Sequence, residues 1–119
     1  MQHSTSEMQQ CIDNCQECHE ICLRMVPHCL QKGGRHAEHI RLLLDCAEIC
    51  QTSANFMVRG SELHPLTCGA CAEVCERCAE ACERLGDDDM MRRCAEVCRR
   101  CAQACRQMAG AMAGATTVR

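Results

Sequence analysis

The sequence predicts an all-α fold: one domain over residues 1–119, built as an antiparallel up-down-up-down four-helix bundle with a cysteine-lined core. Three observations carry that prediction. The 16 cysteines recur at steps of 3, 4 or 7 within each of four segments, the interval between residues that share one face of a helix. The segments are parted by short breaks at Gly33-Gly34, at Gly60 to Pro65 and at Gly86, and four helices on short loops pack as an antiparallel bundle. Phe56 is the only aromatic residue, so the side chains that usually dominate core burial are missing and something else must fill the interior.

The elements follow in order. Ser4-Thr5-Ser6-Glu7 has the form of a capping box, with Ser4 as N-cap and Glu7 at the third position, and starts a helix over about 5–33. Gly33-Gly34 stops it, and Pro27 predicts a local kink. A second helix covers about 35–59 and ends at Gly60. The stretch SELHP is the connection, and Pro65 suits the first turn of a third helix over 65–85, which Gly86 stops. Asp87, Asp88 and Asp89 supply a cap and favourable negative charge for a fourth helix over 88–112, with the tail AGATTVR frayed.

The first helix carries Cys11, Cys15, Cys18, Cys22 and Cys29, and the second Cys46 and Cys50. The third carries Cys68, Cys71, Cys75, Cys78 and Cys82, and the fourth Cys94, Cys98, Cys101 and Cys105. Every one falls on the a/d seam, which takes only two positions in seven and is normally Leu, Ile or Val. Continuing the same steps adds Met8 and Met25 on the first helix, His36, His39, Leu43, Ser53 and Met57 on the second, His64 and Leu85 on the third, and Met91, Met108 and Met112 on the fourth. Apart from Leu43, Ser53 and Leu85, the seam is thiol, thioether and imidazole. Met8, Met25 and Met91 read as core filler. His3, His19 and His28 lie off the seam and read as solvent-facing, like the charges of the third and fourth helices.

Soft ligands point to a soft ion. Thiolate and thioether together select Cu(I) among intracellular metals. Neighbours on one seam have Cβ atoms about 5–6 Å apart, too far for the roughly 3.5–4.5 Å of a relaxed disulfide. An ion about 2.3 Å from each of two sulfurs spans up to about 4.6 Å and bridges the CxxxC pairs at 11/15, 18/22, 46/50, 71/75, 78/82, 94/98 and 101/105. Zinc is less suited, because a closed zinc site wants four tetrahedral ligands. Two thiolates per ion give 8 ions from 16 cysteines, and bridging thiolates bring the count toward one per cysteine.

The bundle order gives the core two unlike ends. One gathers Met8, Met57, His64, Met108 and Met112; the other gathers His28, Cys29, His36, His39, Met90 and Met91. Weak ligands at a mouth can pass ions inward to tighter thiolates, so at least one end is expected to be a metal port, with the methionine end favoured. The second helix has apolar residues on both flanks of its seam: Leu42, Ile49 and Phe56 on one side, Ile40, Leu44 and Val58 on the other. So wide an apolar surface predicts burial against another subunit.

Other classes are weighed on the same residues. The start MQHSTSEMQQ has neither a basic n-region nor an apolar h-region, which predicts a cytoplasmic protein whose thiols stay reduced. No run of 18 apolar residues predicts a membrane span, and a net charge of −3 argues against a nucleic-acid partner. No catalytic constellation is visible, so no enzyme is expected. The CxxC units at 15/18, 68/71, 75/78 and 98/101 raise an iron–sulfur carrier or another metal-binding or sensing protein as the alternative, although ferredoxin ligand runs sit in loops and end in Cys-Pro. A thiol oxidoreductase would want a βαβ setting around one CxxC, and a disulfide scaffold an export signal.

The runs CIDNCQECHEIC and CAEVCERCAEAC on successive helices resemble the bacterial copper storage proteins, in particular the cytosolic branch, over essentially the whole chain. That resemblance implies a four-helix bundle, commonly assembled as a tetramer, whose inward cysteines bind many Cu(I) ions for copper homeostasis or detoxification. It implies Cu(I) ligation by all sixteen cysteines named above. The departure is the second helix, which has only Cys46 and Cys50, with Leu43 and Ser53 at seam positions.

Overall fold

The structure is a computed structural model that describes residues 5–32, 36–86 and 88–118, the stretch 111–118 by its helical backbone alone. Ser4, His3, Gly33, Gly34, Asp87 and the side chain of Met112 lie outside the described residues. Four helices make up the fold: α1 Thr5–Leu30, α2 Ala37–Val58, α3 His64–Leu85 and α4 Asp89–Val118. Each packs on its neighbours in sequence, and α4 closes the square against α1. Opposed pairs show the antiparallel sense. Cys11 meets Cys105 and Cys22 meets Cys98 across α1 and α4, while Ser53 meets Cys68 and His39 meets Cys82 across α2 and α3.

The ends are set by local chemistry. Helix α1 runs past Pro27 to Leu30, and its exit tightens through Lys32 N–H on the Cys29 carbonyl at 3.0 Å. At the end of α2, Gly60 adopts φ 71°, with its N–H on the Met57 carbonyl and that of Ser61 on the Phe56 carbonyl. This is the Schellman pattern, and the positive φ is why Gly stands there. Asp88 caps α4 by accepting the Met91 N–H at 2.8 Å on Oδ1. Its other oxygen takes His28 Nε2 at 3.1 Å and Lys32 Nζ at 2.5 Å, tying α1 to the α3–α4 turn. Lys32 first, then the Met91 N–H, hold the Asp88 carboxyl well below the usual carboxylate range. At Gly86 an added Cβ would lie 2.2 Å from Met91 Cβ, so this turn depends on a residue without one.

Sulfur and alanine fill the interior. All sixteen cysteines are at most 1 % exposed, packed with Met25, Leu43, Met91, Met108 and a set of alanines. Neutral thiols pack as small hydrophobes, which suits the missing aromatics. The charges lie outside, as in Arg99–Glu83 at 2.7 Å and Arg106–Glu76 at 2.6 Å.

Four expectations are corrected. Leu85 is 44 % exposed rather than in the seam, because α3 ends there and turns at Gly86. His19 is half-buried with Nδ1 2.7 Å from the Ala47 carbonyl oxygen, and His28 is half-buried on Asp88; both bridge elements instead of facing solvent. Helix α4 continues to Val118 rather than stopping at 112. On α2, Leu44 and Val58 are exposed while Ile40, Leu42, Ile49 and Phe56 are half-buried.

Candidate metal centre

Helical periodicity aims one sulfur per turn at the axis, and the four helices interleave those sulfurs. From the methionine end, Met57 Sδ lies 3.8 Å from Cys68 Sγ. Cys68 joins Cys11 and Cys105 in a group whose sulfurs are all within 4.8 Å of one another. Cys105 is 3.4 Å from Cys15, Cys15 is 3.8 Å from Cys101, and Cys101 is 3.9 Å from Cys50. Cys50 is 3.6 Å from both Cys71 and Cys75, and Cys75 is 3.6 Å from Cys46. Cys18 then lies 3.8 Å from Cys46 and 3.7 Å from Cys98, and Cys22 is 3.9 Å from Cys98. The result is one continuous line of close-set sulfurs from Met57 to Cys22.

Four further groups each put four sulfurs within the same 4.8 Å: Cys15/Cys71/Cys101/Cys105, Cys50/Cys71/Cys75/Cys101, Cys18/Cys46/Cys50/Cys75 and Cys18/Cys22/Cys46/Cys98. Cys29, Cys78, Cys82 and Cys94, though buried on the same seam, belong to none of them. The spacings are those of free thiols in contact, and every cysteine is free. They also suit low-coordinate ions. Three sulfurs in a plane, each about 2.3 Å from an ion, are about 4.0 Å apart, closer to the observed contacts than the about 4.6 Å of a linear pair. The two thiols of α2, Cys46 and Cys50, are each shared between two groups, as are Cys18, Cys71, Cys75, Cys101 and Cys105.

Electrostatics inside the line differ from sulfur to sulfur. Cys15 accepts from Cys101, Cys105 and Cys11 and is pulled down to about 6 despite its burial. Cys46 is pulled down by Cys18, Cys22, Cys50 and Cys75. Cys50 and Cys105 are pushed up, led by Cys101 in each case, with burial adding to it. Cys68 receives from Cys105 and Ser53, yet Cys11 and burial outweigh them and push it up to about 11. Burial acts against ionisation at each of these sulfurs, and the neighbouring thiols decide whether it is offset, as at Cys15 and Cys46, or reinforced, as at Cys50 and Cys105.

The remaining seam residues fall into place. Ser53 is fully buried, its hydroxyl 3.2 Å from Cys68 Sγ, so the gap in the α2 thiols is a satisfied polar group. Met57 and Met108 are buried at the methionine end, and His64 is half-buried with Nδ1 2.9 Å from the Ser61 carbonyl oxygen. At the opposite end His36, His39 and Met91 are buried, whereas Met90 is 45 % exposed. The CxxC pairs lie within continuous helices, not in the loops that carry iron–sulfur ligand runs.

Fold and site together define a helical bundle that holds several soft metal ions in a shared thiolate core. A family model described as copper storage protein matches residues 4–110. The chain belongs to the copper storage protein family. It is 50 % identical to the Nmul_A1745 protein of Nitrosospira multiformis, whose crystal structure superposes with a TM-score of 0.83 over 90 % of this chain and 98 % of that one. The Cu(I)-bound copper storage protein BsCsp3 is 33 % identical, with a TM-score of 0.80 over 87 % and 98 % of the two chains. A cytosolic copper storage protein of Streptomyces lividans, loaded with five coppers, is 31 % identical, with a TM-score of 0.82 over 88 % and 93 %. A curated relative, the uncharacterized cysteine-rich protein YhjQ of Bacillus subtilis, is 34 % identical over 68 residues, 56 % of this chain and 63 % of that protein.

Proposed function

We propose that this protein stores Cu(I) in the cytoplasm, holding many ions at once on Cys11, Cys15, Cys18, Cys22, Cys29, Cys46, Cys50, Cys68, Cys71, Cys75, Cys78, Cys82, Cys94, Cys98, Cys101 and Cys105, and that it catalyses no reaction. The observation that carries the reading is the unbroken line of buried sulfurs shared between neighbouring groups. Charge balance favours a monovalent ion there. One Cu(I) per thiolate leaves the core neutral, whereas a divalent ion on four thiolates leaves two buried negative charges, which a low-dielectric interior penalises. Among the described residues no helix is long and apolar enough to cross a membrane.

Copper enters at the methionine end, with Met57, His64, Met108 and Met112 as exchangeable ligands. Two features support this. Met57 Sδ touches Cys68 and so continues the sulfur line outward, while Asp88 ties His28 and Lys32 across the far end. Replacing Met57, Met108 and Met112 with Leu should slow Cu(I) uptake in anaerobic stopped-flow measurements about tenfold or more while leaving capacity intact, a tenfold change answering to about 1.4 kcal/mol in the barrier. Unchanged kinetics would remove the port. His36 and His39 are additional metal ligands at the other end.

The flanks of α2, where Leu44 and Val58 are 46 % and 64 % exposed, support a homo-oligomer, a tetramer by the family resemblance. Light scattering should give the mass of four chains; one chain at every concentration would exclude it.

A further inference from the structure

Ser53 stands on α2 where the steps through Cys46, Cys50 and Met57 call for another sulfur, and it is fully buried. Its hydroxyl oxygen lies 3.2 Å from Cys68 Sγ on α3. The group it faces is unlike the others. Among the described residues, Cys11/Cys68/Cys105 is the only close group of three sulfurs, whereas the other four groups each have four. Cys11 and Cys68 belong to that group alone, so Cys105 is its only shared sulfur. Cys68 also meets Met57 Sδ at 3.8 Å, which makes this group the outermost of the line on the methionine side.

Metal binding fixes the direction of the Ser53 contact. In the empty core either group can donate, but a copper-bound Cys68 is a thiolate with no proton left, so the hydrogen must come from Ser53. The competing acceptor is weaker. Thr67 Oγ1 lies 3.4 Å from the Ser53 hydroxyl and donates its single proton to the His64 carbonyl at 3.0 Å. A charged sulfur takes the Ser53 hydrogen in preference to that neutral oxygen. A hydroxyl is also a poor ligand for Cu(I) beside thiolates, so Ser53 serves the sulfur and not the ion. Here such a donor has most effect. Cys11 and Cys68 are shared with no second group, so fewer ions offset their charge, and a donor aimed at Cys68 stabilises part of what remains buried.

Resting on the storage reading above, we infer that Ser53 is a positioning residue of the copper store: it donates a hydrogen bond to the Cys68 thiolate and so holds that sulfur on the outermost ion, bound by Cys11, Cys68 and Cys105.

The test counts the Cu(I) that each reduced chain retains, anaerobically, against rising concentrations of a chromophoric Cu(I) chelator. In Ser53→Ala, one ion per chain should pass to the chelator about 10–100-fold more readily than in the wild type, the usual effect of removing a partner that orients a metal ligand. Context then separates this role from packing. In a Cys68→Ala chain, adding Ser53→Ala should change retention no further, because the sulfur that Ser53 serves is gone. An equal loss in both backgrounds, or a Ser53→Ala chain as retentive as the wild type, would overturn the role. The wild-type count keeps the two readings apart. Fewer than 8 ions, half the number of cysteines, would refute the store and the Ser53 role together, while full wild-type capacity with an indifferent Ser53→Ala refutes the role alone.

Discussion

Loading the reduced apo-protein with Cu(I) should raise its unfolding temperature by roughly 20 °C or more. The reason is mass action on a small domain. An ion present at 1,000 times its dissociation constant adds about 4 kcal/mol, and a domain of this size is stable by only about 5–15 kcal/mol. A few ions therefore rival the stability of the empty fold. They also act across helices, since the group Cys18/Cys46/Cys50/Cys75 joins α1, α2 and α3, and unfolding must break every such bridge. The stabilisation should shrink as pH falls. Thiols such as Cys50 and Cys105 are held protonated in the empty core, each thiolate made on loading releases a proton, and acid reverses that release. Anaerobic circular-dichroism melts with and without eight equivalents of Cu(I) check the effect, and coincident melts would refute it.

Cys46→Ala/Cys50→Ala should lose more copper than the two thiols it removes. Cys46 and Cys50 are each in two of the four-sulfur groups and share one, so the pair takes part in three groups. Removing it strips a sulfur or two from each and breaks the line at its centre. Cys29→Ala, at a sulfur that belongs to no close group, should lose at most one ion. Copper counted per chain after gel filtration decides between shared and private ligands, and equal losses per thiol in the two variants would contradict the sharing.

Most of the architecture was legible in the sequence because one signal dominated it. Sixteen cysteines at helical steps fix which face of each helix turns inward, and glycines mark three of the breaks, so the four helices and their order follow. What periodicity cannot carry is the pairing between helices. Nothing in the spacing of Cys46 and Cys50 shows that they stand at the centre of the line, and Ser53 read as a gap until its hydroxyl proved to lie against Cys68. Polar residues misled for the same reason. His19 and His28 lie off the seam, but a half-buried imidazole finds its partner on another element, here the Ala47 carbonyl and Asp88. The methionine end was legible as composition, while the clasp that ties the other end depends on Asp88 meeting both Lys32 and His28 across the fold.

The most direct test of the storage reading is an anaerobic titration of the reduced apo-protein with Cu(I), competed by a chromophoric Cu(I) chelator and counted per chain. The shared sulfur line predicts a sharp end point between 8 ions, half the number of cysteines, and about one per each of the 16 cysteines. An end point at one or two ions, or no uptake against the chelator, would contradict it and leave the thiol core to another metal or to redox chemistry.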